Sequence, residues 1–168
     1  EYSPLFEEDV YIDIDLVTCV EKRISEGGTS VASVENDGGV HPAFQVAGKS
    51  IAYNDTGYDG YCTPLVYLDN SYDQSGTEYE YIFIDGFGYA EDYAGMDLED
   101  KIVFCSRGDL SFFEKANNAV DLGAVATIVY NNASGMFGMN LTGYYYSNPC
   151  VSISQADAEE EETDQDTL

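Results

Sequence analysis

The feature that most constrains this chain is an ordered run of local signals between residues 101 and 130. Lys101-Ile-Val-Phe-Cys105 is a short run rich in β-formers, of the kind that lies buried in a sheet. Ser111 and Glu114 follow with the S-x-x-E spacing of a helix N-terminus. Phe112, Phe113, Ala116, Ala119 and Val120 then recur at helical spacing, with Leu122 near the edge of the stripe. Gly123 supplies a left-handed C-terminal cap. Ala124-Val-Ala-Thr-Ile-Val-Tyr130 is a second β-rich run. The order from residue 101 is thus strand, capped helix, strand.

Weaker signals frame it. Residues 10–20 alternate in part and predict a strand, as do Val31 to Glu35, Phe44 to Tyr53 and Glu80-Tyr-Ile-Phe-Ile-Asp85. Asn36-Asp-Gly-Gly39 is turn chemistry. Asp55-Thr-Gly-Tyr-Asp-Gly60 starts like a calcium loop. It lacks an oxygen ligand at the third position, and Val66 stands where the bidentate Glu belongs, so it is read as a turn. Tyr93 to Asp100 is a connecting turn, and Pro149-Cys-Val-Ser-Ile153 a last strand. Ser154 opens an acidic final helix, followed by an acidic tail from Glu160. The expected fold class is mainly β with peripheral helices (α+β).

Charge narrows the partners. The chain of 168 residues holds 32 acidic and 6 basic residues. Nucleic acid, which demands clustered Lys and Arg, is excluded as a partner, and so is an anionic membrane surface. No window carries the eighteen apolar residues of a membrane span. The opening residues read as the interior of a longer protein. Cys19, Cys62, Cys105 and Cys150 allow three pairings, and Cys105 and Cys150 have the surroundings of small buried thiols. With one histidine, His41, and no CxxC, no zinc site is expected. No cofactor is expected either.

Lys101-Ile-Val-Phe-Cys-Ser-Arg-Gly108, Ser111-Phe-Phe-Glu-Lys-Ala116, Gly123-Ala-Val-Ala-Thr-Ile-Val-Tyr-Asn-Asn132 and Pro149-Cys-Val-Ser-Ile-Ser-Gln-Ala-Asp157 together resemble the protease-associated (PA) domain. The resemblance covers roughly residues 78 to 160. Cys105 and Cys150 depart from the usual aliphatic residues, and Asp109 from a common Gly. It implies a β-sandwich or open barrel flanked by two short helices. Upstream, Thr29 to Asp37 and Phe44 to Tyr53 are similar to the strands before the PA insertion of cell-envelope subtilisin-like serine proteases of the lactocepin and C5a-peptidase type. The division implied is residues 1–54 as flanking strands, in part belonging to a protease body, 55–160 as the PA domain, and 161–168 as an acidic tail.

These resemblances imply a non-catalytic domain of a secreted, bacterial extracellular or cell-envelope protease. It would touch protein or peptide substrates, control access to the active site, or pack on the parent catalytic domain. The contact residues expected are Phe137, Met139, Tyr144, Tyr145 and Tyr146, in a loop-rich stretch where tyrosines offer large contact area at low entropic cost. The alternatives are a PA domain of a zinc aminopeptidase or of a cargo-binding receptor, or an adhesion module acting through Arg107-Gly108-Asp109. The tripeptide is read as the turn from strand to helix, with Gly108 permitting the bend and Asp109 favoured before the helix. Gly28-Thr-Ser-Val-Ala32 misses the subtilase nucleophile motif at Val34, and Ser30, His41 and Asp13 form no expected triad, so no catalytic residue is assigned. Asn54, Asn132 and Asn140 head N-x-S/T sequons.

Overall fold

The computed structural model describes residues 11–14, 19–21, 40–46, 49–55, 65, 68 and 77–159. The strand expected at Val31–Glu35 and the turn after it lie outside the described residues. So do Ser30, Cys62, most of the Asp55–Gly60 loop and the tail after Glu159.

Among the described residues there are eight strands: β1 (Tyr11–Ile14), β2 (Cys19–Glu21), β3 (Val40–Val46), β4 (Lys49–Ala52), β5 (Thr77–Phe83), β6 (Ile102–Ser106), β7 (Ala126–Tyr130) and β8 (Cys150–Ile153). One helix, α1 (Phe112–Asp121), links β6 to β7, and a second helical turn covers 155–159. Strand order is β2-β3-β1-β5-β6-β7-β8, with β4 on β3. The β1 to β4 pairings and β1 with β5 are antiparallel, whereas β5 to β8 run parallel. Just past β4, Asn54 exchanges backbone hydrogen bonds with Ser152 of β8, at 2.8 and 3.0 Å. That bridge closes the sheet into a barrel, and the architecture is mainly β with two short helices.

Closure explains why β6, β7 and β8 are buried on both faces. Inward-pointing Ile102, Phe104, Ala126, Ile128, Val151 and Ile153 meet Phe44, Val46, Ile51, Tyr53 and Tyr81 from the other strands. Phe104 is the hub, stacked on Phe83 at 4.5 Å and edge-on to Tyr81 at 5.4 Å and Phe44 at 6.3 Å. The alternate residues Val103, Cys105, Val129 and Cys150 face outward, where Ala116 and Ala119 of α1 cover them with Met139 and Leu141. Small residues on α1 let the helix lie close to the sheet. Burying a Phe or Ile side chain in either layer contributes about 1.5–3 kcal/mol.

Two local expectations are corrected. Phe44 to Tyr53 is not one strand but the end of β3 followed by β4, paired Ala43↔Ala52 through Val46↔Lys49. Only half of the expected capping box forms: Ser111 Oγ accepts from Glu114 N at 3.4 Å, while the Ser111 hydroxyl donates to the Glu114 carboxylate. Gly123 does adopt the left-handed conformation, at φ 101°.

Candidate functional site

The parallel half of the barrel has two ends. At the end where β5, β6 and β7 finish lie the loop after β5 and the Arg107–Asp109 turn. The backbone amides of Phe87, Gly88 and Tyr89 donate to Asp92 Oδ2 at 3.0, 2.9 and 3.0 Å. From the other side, Lys115 Nζ donates to the Phe87 carbonyl and Asn118 Nδ2 to that of Gly88 at 2.9 Å. Lys115 is wholly buried, with its ammonium 5.4 Å from the Phe87 ring centre. Burial pulls its pKa below the ordinary lysine value, opposed by Cys105, Asp92 and Asp109. Two opposite charges thus clamp one loop through its amides and its carbonyls.

The Arg-Gly-Asp tripeptide belongs to this framework. Arg107 Nη1 donates to Asn131 Oδ1 at 3.1 Å, and its guanidinium sits 5.0 Å from the centre of the Phe137 ring. The Arg107 amide donates to the Tyr130 carbonyl at 2.8 Å. Gly108 is required for a different reason from the bend expected: it has no left-handed φ, and a Cβ there would overlap the Phe87 ring. Asp109 is exposed. The structure therefore makes the tripeptide a pinned turn.

The five expected contact residues do not form one patch. Phe137 is half-buried against Phe112 at the start of α1, 5.6 Å between ring centres, and its carbonyl accepts from Asn54 Nδ2 and Ser152 Oγ. Met139 is buried beneath α1. Tyr144 is half-buried, its hydroxyl donating to the Asn148 carbonyl at 2.8 Å. Tyr145 and Tyr146 are exposed at the far end of the helix, with rings 5.8 Å apart. Tyr146 donates to Asp121 Oδ1, a bond that raises its pKa ahead of any burial. Tyr145 is 77% exposed, the most open large apolar side chain described.

Leu122, next to Asp121 at that same end, is 47% exposed. The helical periodicity places Leu122 at the stripe's edge.

Of the groups weighed for catalysis, His41 and Asp13 stay apart, and Ser30 lies outside the described residues. His41 lies in β3, and Asp13 of β1 pairs with Gln45, four residues along that strand. This is about 13 Å at the strand repeat. Cys105 and Cys150 are free thiols on β6 and β8 with β7 between them. Two strand spacings of about 4.8 Å put them beyond the ~7 Å limit for a disulfide, which excludes their pairing. Burial pushes the Cys105 thiol up to about 12. Among the described residues no group of three His, Cys, Asp or Glu could hold a metal ion, and no helix is long and apolar enough to cross a membrane.

Known proteins are similar to this chain. Minor extracellular protease Vpr of Bacillus subtilis (strain 168) is 40% identical over 74 residues, 44% of this chain and 9% of that protein. Aminopeptidase YwaD of the same organism is 43% identical over 76 residues, again 44% of this chain and 16% of the relative. The solved structure of BSAP, a zinc aminopeptidase from Bacillus subtilis, superimposes with a TM-score of 0.57 at 30% identity, covering 71% of this chain and 27% of that one. The chain thus spans only a small part of the length of the curated relatives it matches. The family model for the PA domain matches residues 28–160, most of the sequence, and the chain belongs to the PA domain family.

Proposed function

We propose that this PA domain is a non-catalytic accessory module of a larger, secreted bacterial peptidase, and that its Tyr144–Tyr146 end contacts protein substrates. The observation that carries the reading is the exposure of Tyr145 and Tyr146 beside Leu122 on an otherwise strongly acidic molecule. Exposed large apolar groups that cluster mark interaction surfaces, and tyrosine is the residue type such surfaces favour. Tyr144, half-buried and tied to Asn148, holds the pair in place. Met139 supports the surface from the core, and Phe137 packs at the opposite end of α1.

Two parents have support. An extracellular protease is favoured by the similarity to Vpr and by the subtilisin-like strands resembled upstream. A zinc aminopeptidase is favoured by the similarity to YwaD and to BSAP. A serine-directed covalent inhibitor abolishes the activity of the first parent, and a zinc chelator that of the second. Insensitivity to both, or no peptidase activity, refutes the accessory-module reading.

The contact role has its own test in the full-length parent carrying Tyr145→p-benzoylphenylalanine. Irradiation during turnover of a protein substrate should give a cross-link to that substrate. A cross-link only to the parent's own catalytic body, or none, refutes substrate contact.

A further inference from the structure

Three segments lead into the parallel strands β6, β7 and β8, and they are laced into one surface. The Asp100 amide donates to the Gly123 carbonyl at 3.1 Å, and the Val125 amide to that of Lys101 at 2.9 Å. Asn148 Nδ2 reaches the Ala124 and Val125 carbonyls at 3.3 and 3.2 Å, and the Thr127 amide donates to Pro149 O at 2.9 Å. Tyr146 donates to Asp121 across the same seam. Because β6, β7 and β8 are adjacent and parallel, the residues immediately before each of them lie at one end of the barrel.

That end gathers three of the six exposed large apolar side chains among the described residues: Leu122, Tyr145 and Tyr146. It also gathers exposed carboxylates from Asp97, Glu99, Asp100 and Asp121. Lys101, the cation beside them among the described residues, is bridged to Glu80 at 2.9 Å. An apolar centre with a one-sign charged rim selects its partner by charge. A second copy of this chain is disfavoured, since each carries a formal charge of −26.

We propose that this end of the barrel is a docking site for a basic segment of a protein substrate, one with an apolar side chain flanked by Lys or Arg. The proposal rests on the substrate-contact reading above and adds the class of segment taken. The apolar side chain would lie on the Leu122, Tyr145 and Tyr146 surface. The flanking cations would meet the Asp97, Glu99 and Asp100 carboxylates, with further attraction to tyrosine ring faces.

The test measures fluorescence anisotropy of the 168-residue chain with two labelled 15-residue peptides in 50 mM NaCl. Each has a central Phe, flanked by two Lys on either side in one and by two Glu in the other. The Lys peptide should bind at least about tenfold more tightly, and lose about tenfold in 0.5 M NaCl. Asp97→Asn/Glu99→Gln/Asp100→Asn should weaken it about tenfold. Asn keeps the oxygen that Asp97 offers to the Glu99 amide and tolerates the positive φ of Asp100, so the fold is preserved, as an unchanged melting curve verifies. Asp85→Asn/Glu91→Gln/Asp109→Asn, which removes three exposed charges from the loops after β5 and β6, should change binding less than twofold.

Equal loss from that control set means diffuse attraction and overturns the proposal, as does equal binding of the Glu peptide. If Tyr145→Ala/Tyr146→Ala weakens binding and the rim substitutions do not, the charge preference falls while substrate contact stands. If neither matters, both fall. In the full-length parent, kcat/KM should favour a Lys-flanked over a Glu-flanked protein substrate, and the rim substitutions should erase the preference. Binding by the isolated chain without that preference means the surface is covered by the parent body, which also overturns the proposal.

Discussion

Replacing Asp92 by Ala should destabilise the domain by about 3 kcal/mol. One carboxylate oxygen accepts three backbone amides at 2.9 to 3.0 Å. A hydrogen bond to a charged group contributes roughly 1.5–3 kcal/mol when sheltered and much less when water can replace it. The Gly88 bond is partly buried and those of Phe87 and Tyr89 are exposed. About 2 kcal/mol for the first and about 1 for the other two together give the total. For a domain of this size that lowers Tm by about 6–12 °C. Asp92→Asn keeps an acceptor but not the charge and should lose about half as much. Urea titration followed by circular dichroism measures the difference, and hydrogen exchange at residues 87–89 localises it. A loss under about 0.5 kcal/mol for Asp92→Ala would show that the loop is held by Lys115 and Asn118 alone. An Asn variant as stable as the parent sequence would remove the role given to charge.

Other consequences follow from the two buried layers. Phe104→Ala empties the hub of the barrel aromatics and should cost about 3–5 kcal/mol by urea titration; a cost near 1 would contradict the packing described. Cys105 ordinarily titrates at 9.0 and is raised to about 12 in the fold, so the folded state keeps a proton that the unfolded chain gives up. Its contribution is full below pH 9 and is lost as pH rises through 12, by about 4 kcal/mol at most. Denaturation midpoints at pH 8, 10 and 11 should therefore fall in that order, and Cys105→Ala should flatten the slope. Asp109→Glu, which abolishes an adhesive Arg-Gly-Asp, should leave cell attachment to the immobilised chain unchanged; reduced attachment would make the tripeptide an adhesion site.

What the sequence revealed follows the range of the forces involved. The β6–α1–β7 unit was legible because its signals are local: β-rich runs, Ser111 before the helix, Gly123 after it. The bridge between Asn54 and Ser152 that closes the barrel joins residues too far apart in sequence for any window to contain both. The β3–β4 pair reads as one strand in the sequence because apolar residues recur along both segments.

Lys115 stands beside the apolar stripe of α1 and would be assigned to water by type alone. It is buried because the Phe87 carbonyl and ring receive its ammonium, and both come from another loop. The same limit applies to the contact surface. Aromatic composition singled out Phe137, Met139 and Tyr144–Tyr146 together. Only the strand order separates Phe137 at one end of α1 from Tyr145 and Tyr146 at the other, beside the helix end that carries Leu122.

The most direct test of the central claim is the kcat/KM of the full-length parent carrying Tyr145→Ala/Tyr146→Ala, on an intact protein substrate and on a tripeptide too short to reach this surface. The account predicts a loss of about tenfold on the protein, equivalent to about 1.4 kcal/mol of contact, with the tripeptide unaffected. Unchanged cleavage of both substrates, or an equal loss on both, would contradict it.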